Sequence, residues 1–134
     1  MNKTNNQKIL EAINLESGDY SPSKKIDMGI DTVNLKELIN RKDKYGEYSW
    51  SVISKIIKYA SSLVPGITDK FNDIDEAMRL GFNWAMGPFE MLKSIGVNEF
   101  FNRIDEFKNN TFLENLAKTK DENFYGSRQL YTDI

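Results

Sequence analysis

Residues 73–96, DIDEAMRLGFNWAMGPFEMLKSIG, decide the fold. Their order predicts a helix, a tight Gly-Pro turn and a second helix. Asp73 and Glu76 fit a capping box that opens the first helix. Ile74, Ala77 and Met78 give it one apolar face. Gly81 is placed to end it in the left-handed conformation that costs a side-chain-bearing residue most. Gly87 then lets the backbone turn, Pro88 suits the first position of a new helix, and Gly96 closes that one.

Upstream, the longest helix is expected over 47–64. At roughly 100° per residue, Trp50, Ile53, Ile57, Ala60 and Val64 fall on one stripe. Val52, Ile56, Tyr59 and Leu63 fall on an adjacent one, so half the circumference is apolar and the helix is expected to be packed from two directions. Residues 1–46 read as an arm with short helices. Ile9, Leu10 and Ile13 mark a weak amphipathic turn, and a second short helix starts near Asn34 with Leu35, Leu38 and Ile39 facing inward. Downstream of Gly96, Asn98 is the expected N-cap of a helix carrying Phe100, Phe101, Ile104 and Phe107. Thr111 with Glu114 forms another capping-box pattern. Phe124 and Tyr125 are expected to run extended over the surface with the tail, 126–134. No stretch alternates like a strand. The fold class is all-α, with an arm at 1–46, a helical domain at 47–125 and a tail.

Composition narrows the function. The 134 residues suffice for one domain with a real core. A net charge of -2 gives no general attraction for nucleic acid, and no run is long enough for a membrane span. The absence of cysteine sits comfortably with a reducing cytoplasm, the expected location. Without histidine or cysteine the chain forms no Ser-His or Cys-His pair, and a zinc site would need carboxylates alone. None of the eight glycines builds a G-x-G-x-x-G or Walker loop. No catalytic, cofactor-binding or metal-binding residue is assigned.

Trp84, Met86, Gly87, Pro88 and Phe89 are the candidate pocket or packing turn. Their large side chains either line an acyl pocket or wedge two helices together, and the wedge is preferred. Asp73, Asp75 and Glu76 are read as helix-capping carboxylates rather than metal ligands, and Glu90 as a first-turn carboxylate facing the helix dipole. Lys42, Lys44, Lys55 and Lys58 are read as a solvated face rather than a site that steers CoA phosphates.

The order Asp75-Glu76-Ala77-Met78, Gly81, Met86-Gly87-Pro88-Phe89-Glu90 resembles the C-terminal helical domain of the 3-hydroxyacyl-CoA dehydrogenase family. Lys44-Tyr45-Gly46, Tyr59 to Pro65, Met78 to Trp84 and Asn123-Phe124-Tyr125 extend the likeness. It is best over 41–125 and closest to the second helical repeat of the enzymes that fuse this dehydrogenase to an enoyl-CoA hydratase of fatty-acid β-oxidation. The resemblance implies a helical domain of the 6-phosphogluconate/3-hydroxyacyl-CoA dehydrogenase C-terminal type. It also implies a parent that oxidises 3-hydroxyacyl-CoA with NAD through an upstream Rossmann domain. The family's catalytic histidine has no counterpart here, and Asn40-Arg41 and Asn102-Arg103 lack the Gly-Phe that precedes the family's substrate-facing asparagine.

The chain is therefore expected to be inactive alone and to support packing of Rossmann and sister helical domains, or to self-associate, with acyl-CoA contact as a further possibility. A piece of a longer enzyme, a split-gene product and a remnant all remain open. The alternative is an independent helical module for an acyl chain or a partner helix.

Overall fold

The computed structural model describes residues 9–25 and 34–125. The chain divides into two units, Met1–Thr32 and Val33–Ile134.

The first unit holds an antiparallel hairpin, β1 (Glu11–Ile13) and β2 (Tyr20–Pro22), with Ala12 opposite Ser21 and Ile13 opposite Tyr20. This corrects the expected helical turn at Ile9, Leu10 and Ile13. The Asn14 side chain accepts hydrogen bonds from the N–H groups of Glu16 and Ser17, and Gly18 takes a positive φ of 78°. Together they close a turn that a helix could not pass through. Every described residue of the hairpin is exposed.

In the second unit, α1 (Leu35–Asn40) starts at the expected cap, Asn34, and buries Leu35 and Ile39. It therefore belongs to the helical body and not to an arm. Helix α2 (Lys44–Ser62) begins three residues earlier than expected. Asp43 caps it by accepting from the N–H groups of Tyr45 and Gly46, while Arg41 grips the other carboxylate oxygen at 2.6 and 2.9 Å. Ile53, Ile57 and Ala60 face inward, as the first stripe predicts. The second stripe is packed only in part: Ile56 and Leu63 are half-buried, whereas Tyr59 is 70% exposed and Val52 is exposed, with α1, α4 and α6 all in contact with α2.

Helix α3 (Phe71–Phe82) opens at Phe71, so Asp73 lies inside the first turn and the Asp73–Glu76 box does not form. Asp73 accepts from the Thr68 hydroxyl instead. Its end also differs: Asn83, at φ 56°, is the left-handed cap, and Gly81 stays within the helix. Helix α4 (Pro88–Ile95) opens on Pro88 and closes at Gly96, as expected, with Gly87 at its N-cap position.

Helix α5 (Val97–Arg103) starts one residue before Asn98, directly after Gly96. Helix α6 (Thr111–Thr119) is capped by Asn110, which accepts from Leu113 N–H, while Glu114 reaches back to Asn109 N–H. The box is therefore shifted one residue from Thr111. Tyr125 is buried and Phe124 half-buried, so these two do not lie on the surface; the expectation for 126–134 lies outside the described residues. Phe89, Leu92, Ile95, Val97, Phe100 and Leu113 are fully buried between the helices.

Candidate functional site

One buried carboxylate organises the corner between α3 and α4. Asp75, in the second turn of α3, is 0% exposed. Its Oδ1 accepts from Phe89 N–H at 2.8 Å. Its Oδ2 accepts from Glu90 N–H and from the Tyr125 hydroxyl, both at 2.9 Å. The first N–H groups of any helix lack partners within it, and Gly87 has no side chain to offer α4. Asp75 supplies the missing cap from a neighbouring helix. Glu90 completes the arrangement by accepting from Gly87 N–H at 2.7 Å, with Arg79 3.4 Å from its other oxygen.

Gly87 has an ordinary φ of -79°, so the turn does not need glycine for its conformation. It needs glycine for space, because a Cβ there would collide with Cα and Cβ of Asp75. Asp75 was expected to cap its own helix. The signal for its actual role is that α4 opens on Gly-Pro, a start with no capping side chain of its own.

Burial pushes the Asp75 carboxyl up to about 6 from its ordinary value, with the Glu90 charge adding to the rise. The N–H groups of Phe89 and Glu90 and the Tyr125 hydroxyl pull the other way. A second carboxylate, Glu122, does for α5 what Asp75 does for α4. It accepts from Val97 N–H at 2.8 Å and Asn98 N–H at 2.9 Å, bonds that hold its carboxyl below the usual range.

Gly87, Pro88 and Phe89 lie buried at this corner, while Trp84 and Met86 are half-buried beside it. The Phe89 ring centroid is 5.2 Å from that of Phe71 and 5.0 Å from that of Phe112. Phe71 and Phe112 also line an open cavity of about 360 Å³, together with the apolar Val64, Pro65, Leu116 and Phe124 and the polar Thr111, Asn115, Thr119 and Asp121. None of the five turn residues lines it.

The described residues contain no Rossmann-type sheet. The hairpin is their whole sheet, so no parallel strand leads into a glycine-rich phosphate loop. The N-termini of α4 and α5, where a phosphate would otherwise be welcome, hold Asp75 and Glu122. No cluster of described acidic residues has the form of a metal site, and no helix among them is long and apolar enough to cross a membrane.

Six helices among the described residues, two of them joined at a Gly-Pro corner by a buried aspartate, define a helical domain. Residues 51–125 match the family described as 3-hydroxyacyl-CoA dehydrogenase, C-terminal domain, and the chain belongs to that family. Among its relatives, a Rickettsia felis protein named as a fatty acid oxidation complex trifunctional enzyme is 39% identical over 101 residues, which is 75% of this chain and 14% of that protein. Its Rickettsia prowazekii counterpart is 38% identical over the same shares. A Bacillus subtilis protein named as a 3-hydroxyacyl-CoA dehydrogenase is 30% identical over 93 residues, covering 68% of this chain and 12% of that protein. The chain thus spans about a seventh of these relatives. No solved structure matches.

Proposed function

We propose that this chain is the second helical domain of a cytoplasmic fatty-acid β-oxidation dehydrogenase, and that its role is structural. Oxidation of the 3-hydroxyacyl-CoA by NAD belongs to other domains of the parent enzyme. The chain contributes a rigid helical body against which a Rossmann domain, a sister helical domain or a second copy packs. The absence of histidine and cysteine from the sequence supports the division of labour.

The outward face of α2 carries the reading. Tyr48, Val52 and Tyr59 recur on the side away from the core, and the two tyrosines are 72% and 70% exposed. Exposed tyrosines and a valine on the side away from the core, with Lys55 among them, are the form expected of a partly apolar surface that another folded body covers. Sedimentation velocity at micromolar concentration tests the reading in its self-associating form. The expected result is a concentration-dependent species heavier than 15.5 kDa that disappears in a Tyr48→Asp/Tyr59→Asp variant. A single species near 15.5 kDa at every concentration contradicts self-association through this face.

A further inference from the structure

The cavity beside α6 has a composition that selects its occupant. Phe71, Phe112 and Phe124 make its floor. Along one edge run Thr111, Asn115 and Thr119, spaced four residues apart and so aligned on one face of α6 over about 12 Å. The Thr119 hydroxyl donates to Leu116 C=O at 3.2 Å. No described residue takes up the Thr111 hydroxyl or the Asn115 carboxamide, and both residues are exposed. Asp121 stands at the end of this row and is the one ionisable residue among the described lining residues; Lys118 and Lys120 do not line it.

These features discriminate between ligands. A plain aliphatic chain would fill the aromatic floor but strip water from the polar edge without replacing its hydrogen bonds. An anion, a CoA phosphate included, would meet a carboxylate and no cation among the described lining residues. An extended peptide satisfies both walls. A carboxamide offers one donor and one acceptor group, matching the C=O and N–H of a backbone, and the aromatic floor takes alternate side chains. At about 360 Å³ the cavity is at the low end of ligand sites, suited to a few side chains rather than a whole helix.

We propose that this groove binds an extended segment of a partner protein, with apolar side chains on the Phe71–Phe112–Phe124 floor, backbone on Asn115 and a lysine or arginine at Asp121. The site stands independently of the assembly reading, and the sedimentation result does not bear on it.

The test is an NMR titration of the full ¹⁵N-labelled chain with three probes: the peptide Ac-LFLAK-NH2, its Ac-LFLAE-NH2 counterpart, and decanoate. The lysine peptide is expected to shift the amide signals of Thr111, Asn115 and Thr119 and to bind at least tenfold more tightly than the glutamate peptide. Asp121→Lys is expected to invert that preference, and Asn115→Ala, an exposed change, to weaken both peptides. Asn115→Ala keeps the test decisive if Asp121→Lys disturbs folding. Shifts produced by decanoate and by neither peptide would overturn the proposal in favour of an acyl site. Equal binding of the two peptides, or no shifts with any probe, would overturn it as well.

Discussion

The hydroxyl of Tyr125 donates to the carboxylate of Asp75 at 2.9 Å, tying the last described residue to the α3–α4 corner across 50 positions of sequence. The same carboxylate caps α4, so one buried side chain joins three parts of the unit. Asp75→Ala leaves two helix N–H groups and a phenol without their acceptor. The expected loss is on the order of 3 kcal/mol, against about 1 kcal/mol for Tyr125→Phe, which removes a single donor. Urea unfolding of both single variants and the double variant measures this. A double variant much less destabilised than the sum of the singles is the signature of their contact.

The pH dependence has a definite sign. The Asp75 carboxyl is raised in the folded state to about 6, so the folded chain holds more protons than the unfolded one between about pH 4 and 6. Stability from this group is fully present below its ordinary value and is lost as pH rises through about 6. Glu122 and Asp43 are lowered and act oppositely: their contribution is present above the ordinary carboxylate range and is lost as pH falls through their folded values. The interval from pH 7 to pH 5 therefore isolates Asp75. The urea midpoint is expected to rise on that acidification, by about 1 kcal/mol in stability, and Asp75→Asn is expected to abolish the rise. A midpoint that falls from pH 7 to pH 5 contradicts the assignment.

Two glycines separate space from conformation. Gly87→Ala puts a methyl group into the backbone and Cβ of Asp75, and neither can move without opening the corner. A loss of about 2 kcal/mol or more is expected, as for other overpacked sites. Gly81 lies inside α3 with open space around it, so Gly81→Ala is expected to stabilise by about 0.5–1 kcal/mol. Thermal unfolding of the two variants should shift in opposite directions.

Much of the helical body is legible in the sequence, because periodicity and Gly-Pro punctuation are local signals. The inward stripe of α2, the α1 cap at Asn34 and the Gly87-Pro88-to-Gly96 helix all need only neighbours in the chain. The misplaced features depend on distant partners. Asp75 and Glu122 cap helices 14 and 24 residues away from themselves; the Gly-Pro start of α4 signals that a cap is missing, but no local pattern says which residue supplies it. The α6 edge is a spacing of three ordinary polar residues that borders a cavity only when Phe71 and Phe124 are folded beside it.

Trp50 illustrates the same limit. Its stripe points to the core, yet the ring is half-buried, edge-on to Phe100 at 5.8 Å and covered by the Arg103 guanidinium at 4.2 Å. Arg103 also donates to Ile39 C=O and so ties the end of α1 to α5. Trp50→Ala is expected to cost about 3 kcal/mol, the low end for a large aromatic, with a further fraction from the lost cation–π contact. An unchanged urea midpoint contradicts this packing.

The proposed structural role leaves catalysis to other domains of the parent enzyme. The direct measurement is NADH oxidation with acetoacetyl-CoA by the purified 134-residue chain. The predicted result is no turnover above the buffer control at any enzyme concentration. Turnover at a rate typical of enzymes, on the order of 1 s⁻¹ or faster, would contradict the account.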